Sequence, residues 1–302
     1  MKLLIGSAFI AVTSVSCNQR AQSQGGGAGL YETTPFKEYW YAGKAELNAY
    51  TLVQSRYGEQ RSGKAMLIFV TEPFSKSKQV KLDNPEATAG DKVTVMKLNY
   101  TKNFVTGIYP YSMMLSVFTP VSRNQYPHSL KVTMTSQEWC GHVFSQMNLK
   151  GNRYDVSSYS YFEKEGDVKF TVDKILLEDE LFNMIRVDPE NVPQGQIRIL
   201  PGLFFTRMKH ENLNPIEAKL SKTETESETT YSIKFPSRLL TIHVAKSFPH
   251  QILGWVEELK EGENIMLTKA TLDKTLVTDY WRKHNNEHLP LRDSLGLSPN
   301  NY

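Results

Sequence analysis

The residues most capable of chemistry lie together in residues 136–146, an apolar, strand-like run that contains Cys140 and His142. A thiolate beside an imidazole is how cysteine nucleophiles are activated, so this pair raises the possibility of a hydrolase or acyltransferase. Residues two apart on a regular strand point the same way about 7 Å apart, and such enzymes take their histidine from elsewhere in the fold. The spacing therefore favours a small buried Cys140 and a hydrogen-bonded His142. His128 and His243 stay open as partners for a Cys140-dependent enzyme.

In the same segment, the apolar residues change from one face of the expected strand to the other. Val132 and Met134 share one face of the expected strand, whereas Trp139 and Val143 have the opposite parity. Such a change needs a bulge or a break, and Gly141 is where the backbone most easily supplies it. The pattern predicts a bulged strand at the heart of the sheet. Its possible functional face consists of Glu138, Trp139, Cys140 and His142, and a buried Glu138 would need an Arg or Lys partner.

Other candidate chemistry is weaker. His284 and His288 have the HxxxH spacing that places two imidazoles on one helix face for zinc, but Asn285 and Asn286 between them are poor helix formers. No third ligand is evident, so neither a metal nor a cofactor is predicted. The chain also contains no GxSxG, P-loop, GxGxxG, HExxH or CxxC motif. The common hydrolase, nucleotide-binding and redox functions therefore have no sequence motif to support them.

The elements around this segment predict a mainly β protein. Residues 64–71 form an apolar run of strand length, typical of a central strand covered on both faces, and residues 240–244 alternate cleanly. We expect one large, strongly curved antiparallel sheet, half-barrel or open barrel-like, with one amphipathic helix packed on it. Residues 171–186 have apolar side chains at helical spacing, with Thr171 as a cap and a Pro after residue 188 as a stop. Residues 203–208 are predicted to be a further strand.

Composition excludes some functions and bounds the domains. The 302 residues are 40% hydrophobic and 22% charged, which is typical of a globular protein. The net charge of +3 comes from interspersed acidic and basic residues, so no nucleic-acid partner is expected. The predicted organisation is a signal peptide in residues 1–16, a lipidated cysteine with a flexible tether in residues 17–35, and a single domain in residues 36–302.

The N-terminus predicts that the protein is located in the cell envelope. Lys2 precedes an apolar run too short to span a membrane, and small residues lead to Cys17. This arrangement resembles the lipobox of bacterial lipoproteins, in which the cysteine carries acyl chains as the mature N-terminus. An acylated Cys17 leaves Cys140 without a partner, so a disulfide is not expected. The glycine-rich residues that follow lack an acidic pair, which favours a lipid-anchored protein of the outer membrane that faces the periplasm.

Four segments carry a family resemblance: residues 40–47, 67–72, 137–142 and 291–297. They resemble an uncharacterised Bacteroidota lipoprotein family whose members are often labelled "septum formation inhibitor Maf", and the resemblance covers nearly the whole mature chain. True Maf nucleoside triphosphate pyrophosphatases carry an SxSPRR-like phosphate-binding motif, which this chain lacks. A Maf-type pyrophosphatase is therefore the third hypothesis for function, after a Cys140-dependent hydrolase or acyltransferase. The first is a non-enzymatic, membrane-tethered lipoprotein that binds an apolar ligand or a protein partner in envelope maintenance.

Overall fold

The computed structural model describes residues 30–297, so the predicted signal peptide and Cys17 lie outside the described residues. One mainly antiparallel sheet of 15 strands dominates the fold and does not close, and a few short helices accompany it. The predicted fold class is confirmed. Within residues 30–297, no helix reaches the length and hydropathy that a membrane crossing requires.

The elements are short helices and strands of 2 to 17 residues. The strands are β1 (Ala45–Arg56), β2 (Glu59–Ser75), β3 (Lys92–Thr106), β4 (Tyr109–Pro120), β5 (Lys131–Glu138), β6 (Gly141–Lys150), β7 (Arg153–Ser160), β8 (Val168–Asp173), β9 (Leu176–Leu177), β10 (Gly195–Leu200), β11 (Ile216–Glu224), β12 (Glu228–Lys234), β13 (Arg238–Ala245), β14 (Ile252–Glu261) and β15 (Asn264–Thr278). The helices are α1 (Thr34–Trp40), α2 (Leu181–Val187), α3 (Leu203–Lys209) and α4 (Pro290–Ser294), and 3₁₀ turns include Leu30–Glu32 and Glu178–Glu180.

The sheet consists of two meanders joined at the middle. Strands β1 to β8 pair in sequence, strands β10 to β15 do the same, and β1 pairs with β15. The two edge strands, β8 and β9, are separated in the chain by Lys174 and Ile175 alone, so they approach within about 11 Å at that point. The sheet is therefore so strongly curved that two residues of the chain connect its two edge strands.

The concave face of the sheet surrounds α2 and α3. Asn183 of α2 donates hydrogen bonds to the carbonyl oxygens of Met96 and Val117, on β3 and β4. Arg186, one turn further along α2, forms an ion pair of 2.7 Å with Glu46 of β1. Apolar side chains from both meanders join these helices in one buried cluster. Because strands from both halves contact the same short helices, the sheet must bend around them.

The convex face is covered at its centre by the C-terminal segment. Leu295, which follows α4, packs in a second buried cluster with Leu47 of β1 and Met66 of β2. This cover explains why residues 64–71 are apolar on both faces, and their prediction as a central, doubly covered strand is confirmed. At the other end of the chain, the predicted tether boundary at residue 36 falls inside α1, whose Trp40 is buried.

The single helix predicted for residues 171–186 is wrong in its first half. Thr171 lies in β8, and the helix begins only at Leu181. The physical reason is that Val168, Phe170 and Val172 alternate at strand period and pair with β7, which outweighs local helical spacing. The predicted end is confirmed, since Asp188 caps the C-terminus of α2.

Residues 203–208, predicted as a strand, form α3 instead. The first N–H groups of this helix have no local side-chain cap. They are satisfied by two carboxylates from a distant part of the chain, because Glu178 accepts from Gly202 at 2.9 Å and Asp179 accepts from Leu203 at 3.0 Å. Carboxylates at a helix N-terminus also complement the helix dipole. A short apolar run is ambiguous between helix and strand, and here a tertiary cap decides.

Candidate functional site

The predicted face of Glu138, Trp139, Cys140 and His142 is a hairpin tip, and the bulged strand at the heart of the sheet is wrong. β5 ends at Glu138, Trp139 and Cys140 form a two-residue turn, and β6 begins at Gly141. The reversal of the chain, rather than a bulge, changes the hydrophobic parity. Cys140 and His142 are exposed, so the expectation of a buried Cys140 is also wrong.

Gly141 is required at this tip for a reason that the sequence pattern does not show. Its φ of +155° is a conformation that residues with a side chain rarely adopt. A Cβ atom there would lie 2.7 Å from the ring of Tyr161 on the next hairpin. The glycine therefore lets two neighbouring hairpin tips touch.

The four side chains diverge. Glu138 turns inward, keeps the parity of Met134, and forms a buried 2.8 Å ion pair with Arg207 of α3. The predicted need for an Arg or Lys partner is thus confirmed. Trp139 is largely exposed, as are Cys140 and His142. The tip consequently presents a thiol, an imidazole and an indole to solvent.

The two histidines that the sequence left open as partners for Cys140, His128 and His243, each contact a glutamate instead. His128 lies before the start of β5, about 25 Å of strand away from the tip, and its Nδ1 is 3.2 Å from Glu180. His243 Nδ1 is 2.6 Å from Glu228. The structure therefore pairs neither with Cys140. Within residues 30–297, no group of three or more His, Cys, Asp or Glu side chains is placed to hold a metal ion.

The most densely charged part of the interior is the acidic 3₁₀ turn Glu178–Glu180, which precedes α2 and is buried. Glu178 forms a bidentate ion pair with Arg238 of β13 and caps α3. Arg238 also binds Glu257 of β14 at 2.9 Å. Burial lowers the pKa of Arg238, but the charges of Glu178 and Glu257 outweigh it and raise that pKa above its ordinary value. This arginine of β13 is held as a cation between the acidic turn and β14.

Asp179 differs from its neighbours because no cation of residues 30–297 forms an ion pair with it. Burial raises its pKa to about 8, the charge of Glu178 adds to this, and the N–H of Leu203 opposes it. At neutral pH the Asp179 carboxyl is therefore mostly protonated. Glu180 is the reverse case: burial raises its pKa, but His128 and Arg123 lower it below the ordinary value.

A small cavity of about 60 Å³ adjoins this charged cluster. Its walls include Lys102 and Glu257, with Tyr100, Phe182 and Trp255 as aromatic neighbours. Burial lowers the pKa of Lys102, whose ammonium lies 5.5 Å from the ring centre of Tyr100. The space holds a few water molecules but is well below the volume of an ordinary ligand site. We interpret this cluster as a structural core of α3 and its neighbours.

A much larger pocket lies at the β8 edge of the sheet and has a volume of about 470 Å³. We call it the edge pocket. One wall is the concave face of β5 to β8, and the other is α3 with residues 211–214. Its apolar lining residues are Met134, Val143, Val156, Val168, Phe170, Leu203 and Leu213. Small-molecule sites commonly have volumes of about 300–1,000 Å³, so this pocket has the size of one, and these seven apolar side chains form part of its walls.

The edge pocket exists because the concave face of β8 has no cover along most of its length. Val168, Phe170 and Val172 point to that face, but only Val172 is buried. Val168 and Phe170 keep 42% and 38% of their surface exposed. An inward-facing apolar strand that remains open to solvent is unusual, since such positions normally form the core.

Polar groups occur at the sides and mouth of the edge pocket. The buried guanidinium of Arg207 is neutralised by Glu138 and by Glu165, the latter at 3.5 Å. It also lies 4.4 Å from the ring centre of Phe162. Lys164, in the β7–β8 connection, and Lys169 are exposed lining residues, and no ion pair to either occurs within residues 30–297. The pocket thus combines an apolar strand wall with two exposed lysines among its lining residues.

Sequence reasoning missed this pocket. The signal that indicates it is the alternation of Val168, Phe170 and Val172, of which only Val172 falls within the helix predicted for residues 171–186. The missing cover over that face has no local sequence signal. No protein-family model, curated protein or solved structure matches the chain. The resemblance to a lipoprotein family therefore stays a prediction.

Proposed function

We propose that this chain is a non-enzymatic, membrane-tethered lipoprotein of the periplasm-facing envelope and that it binds an apolar ligand in the edge pocket. The observation that carries the ligand half is the exposed, inward-facing pair Val168 and Phe170 in a pocket of about 470 Å³. Full burial of such a side chain is worth about 1.5–3 kcal/mol, so covering the 42% and 38% that remain exposed contributes about 0.6–1.2 kcal/mol each to the affinity for an apolar molecule.

The ligand class follows from the lining. An elongated apolar molecule, such as a single acyl chain, would contact Phe170 and Leu203 on opposite walls. The exposed Lys164 and Lys169 are among the lining residues, which suits a polar or anionic head group left in solvent. Arg207 is already paired with two carboxylates and is a wall of the pocket rather than a ligand-binding cation.

A titration with the neutral fluorescent probe N-phenyl-1-naphthylamine tests the pocket. We expect the wild-type chain to bind the probe and Phe170→Asp to weaken binding about tenfold or more, because the substitution places a charge on the apolar wall. Tyr159→Asp is the matched control, since Tyr159 is similarly exposed and lies on neighbouring β7 but is not part of the pocket lining. Equal weakening by both substitutions, or no binding by the wild type, would contradict the proposal.

The membrane-tethering half rests on Cys17, which lies outside the described residues. Mass spectrometry of the mature protein from the membrane fraction should find acyl chains on Cys17. A mature N-terminus at another residue, or an unmodified Cys17, would remove this half and leave the ligand proposal standing.

A further inference from the structure

The large apolar side chains that are most exposed share one location. The five highest exposed fractions among such residues in the described chain run from 59% to 82%. They belong to Tyr57, Ile108, Trp139, Tyr161 and Ile265. Each lies in, or next to, the turn of a different β-hairpin. Isolated exposed apolar residues are ordinary, but one on each of five hairpins is a pattern.

These five hairpins are consecutive in the sheet. In spatial order they are β7–β8, β5–β6, β3–β4, β1–β2 and β15–β14, so all five turns lie along the same margin of the sheet. Adjacent tips are two strands apart, which is about 10 Å. We call this series of side chains the tip row. Ile108 is at its centre and is also its most exposed member.

Lateral contacts hold the tip row in place. The ring of Trp139 lies 6.4 Å from that of Tyr109 on the next hairpin. The hydroxyl groups of Tyr57 and Tyr111 are 3.0 Å apart, which connects the following pair. Tyr161 packs against Gly141 in the other direction. The exposed side chains are therefore presented by hairpins that are fixed relative to one another.

We propose that the tip row docks on the surface of a zwitterionic phospholipid bilayer. Trp and Tyr favour the membrane–water interface because their rings are apolar with one polar group, and Ile adds purely apolar surface. A standard protein interface buries about 800 Å² of continuous surface per partner, whereas these side chains stand about 10 Å apart on narrow turns. A fluid lipid surface can receive such separate points of insertion individually.

The charges at the tips identify the lipid class. Binding to anionic lipids typically uses clusters of basic residues. Within residues 30–297 the five turns have no such cluster. Four of their acidic residues are paired, Glu59 with Arg61, Glu138 and Glu165 with Arg207, and Glu261 with Lys209. Glu163, Asp167 and Glu263 have no ion pair within the same residues, and their negative charge disfavours an anionic surface. Insertion of apolar side chains thus supplies the affinity, and salt should have little effect on it.

The tip row is distinct from the predicted lipid anchor. The described chain starts near the connection between β4 and β5, where Tyr31 donates a hydrogen bond to Asn124 at 3.3 Å. That connection is at the end of β4 opposite its Ile108 turn. The docking proposal needs neither an acylated Cys17 nor a ligand in the edge pocket, so it stands or falls separately from the proposed function.

Site-specific fluorescence on the full chain tests the proposal. In a Cys17→Ser, Cys140→Ser background, Ile108→Cys carries an environment-sensitive nitrobenzoxadiazole label, and Leu289→Cys carries it in the control. Leu289 is 57% exposed and lies in the C-terminal segment after β15, away from the tips. With phosphatidylcholine vesicles that contain brominated lipid, we expect a blue shift and quenching for the label at position 108 and no change at position 289.

Removal of neighbouring tips should weaken the contact. Trp139→Ser with Tyr161→Ser is expected to lower the vesicle-bound fraction of the label at position 108 about tenfold, whereas Trp281→Ser, an exposed Trp outside the row, leaves it unchanged. Circular dichroism verifies that each variant is folded. A label at position 108 that stays in water with vesicles present would overturn the proposal. So would burial of that label without vesicles as protein concentration rises, because the row would then be an interface between copies.

Discussion

Replacement of Asp179 by Asn tests the buried acidic turn most directly. The carboxyl lies beneath α3, where it accepts a hydrogen bond from the N–H of Leu203. Burial, with help from Glu178, raises its pKa to about 8, so it is mostly neutral at pH 7. Asn keeps the size and the accepting oxygen of the protonated acid but has no proton to lose.

The magnitude follows from proton linkage. The pKa of Asp179 is about 8 in the folded chain against an ordinary value of 3.8, so the unfolded chain releases a proton that the folded chain keeps. The stabilisation from this group is complete below about pH 4 and is lost as the pH rises through about 8. At 1.36 kcal/mol per pH unit, the wild type loses about 3 kcal/mol through Asp179 between about pH 5 and pH 7. Asp179→Asn removes that loss.

Urea unfolding of the full chain at about pH 5 and pH 7 measures the effect. The free energy of unfolding of Asp179→Asn, relative to wild type, should rise by about 3 kcal/mol from the lower to the higher pH. Asp91→Asn is the control, because hydrogen bonds from Ser75 and Ser77 lower the pKa of Asp91 and keep its titration in the acid range. That control should follow the wild type between these pH values. If Asp179→Asn also follows the wild type, the neutral buried acid is refuted.

Three further substitutions or reactions examine other parts of the fold. Arg186→Met leaves buried Glu46 unpaired, so urea unfolding should show a loss of about 3–5 kcal/mol, partly restored by adding Glu46→Gln. Gly254→Ala places a Cβ atom 2.4 Å from a backbone oxygen and should cost about 1–3 kcal/mol in thermal unfolding, whereas Gly90→Ala, with open space, should cost less than about 0.5. Exposed Cys140 should react with iodoacetamide as fast in folded as in unfolded protein, and peptide mass spectrometry that finds a protected thiol would contradict the hairpin tip.

Much of the sheet could be predicted from local alternation because each strand has one face toward the core. Residues 240–244, whose alternation predicts a strand, lie in β13. The pairing of β1 with β15 could not be predicted, since Val53 and Lys269 are far apart in sequence and no local pattern connects them. The approach of the two edge strands, β8 and β9, could not be predicted either. It depends on the two residues that connect them, which determine how strongly the sheet is curved.

The candidate site was harder to predict because its decisive features are tertiary. A change of parity has two explanations, a bulge or a two-residue turn, and Trp139–Cys140 lacks the Asn-Gly or Asp-Gly signature of tight hairpins. The inward direction of Glu138 depends on Arg207, which comes from a segment predicted as a strand. Trp139 is a large hydrophobic residue, so its exposure to solvent could not be predicted from its type. For the same reason, that exposure is informative about function once its position is known.

The edge pocket depends on a helix that has little stability of its own. A helix of seven residues is far shorter than the length at which isolated helices persist in water, so tertiary contacts must hold α3 in place. Its N-terminus is held by the carboxyl groups of Glu178 and Asp179, and its Arg207 is bound to Glu138 at a hairpin tip. Because Leu203 and Arg207 both line the pocket, its shape is set by the buried acidic turn on one side and by the tip on the other. Ligand affinity in the edge pocket should therefore follow the integrity of the α3 cap, even though neither capping carboxylate lines the pocket.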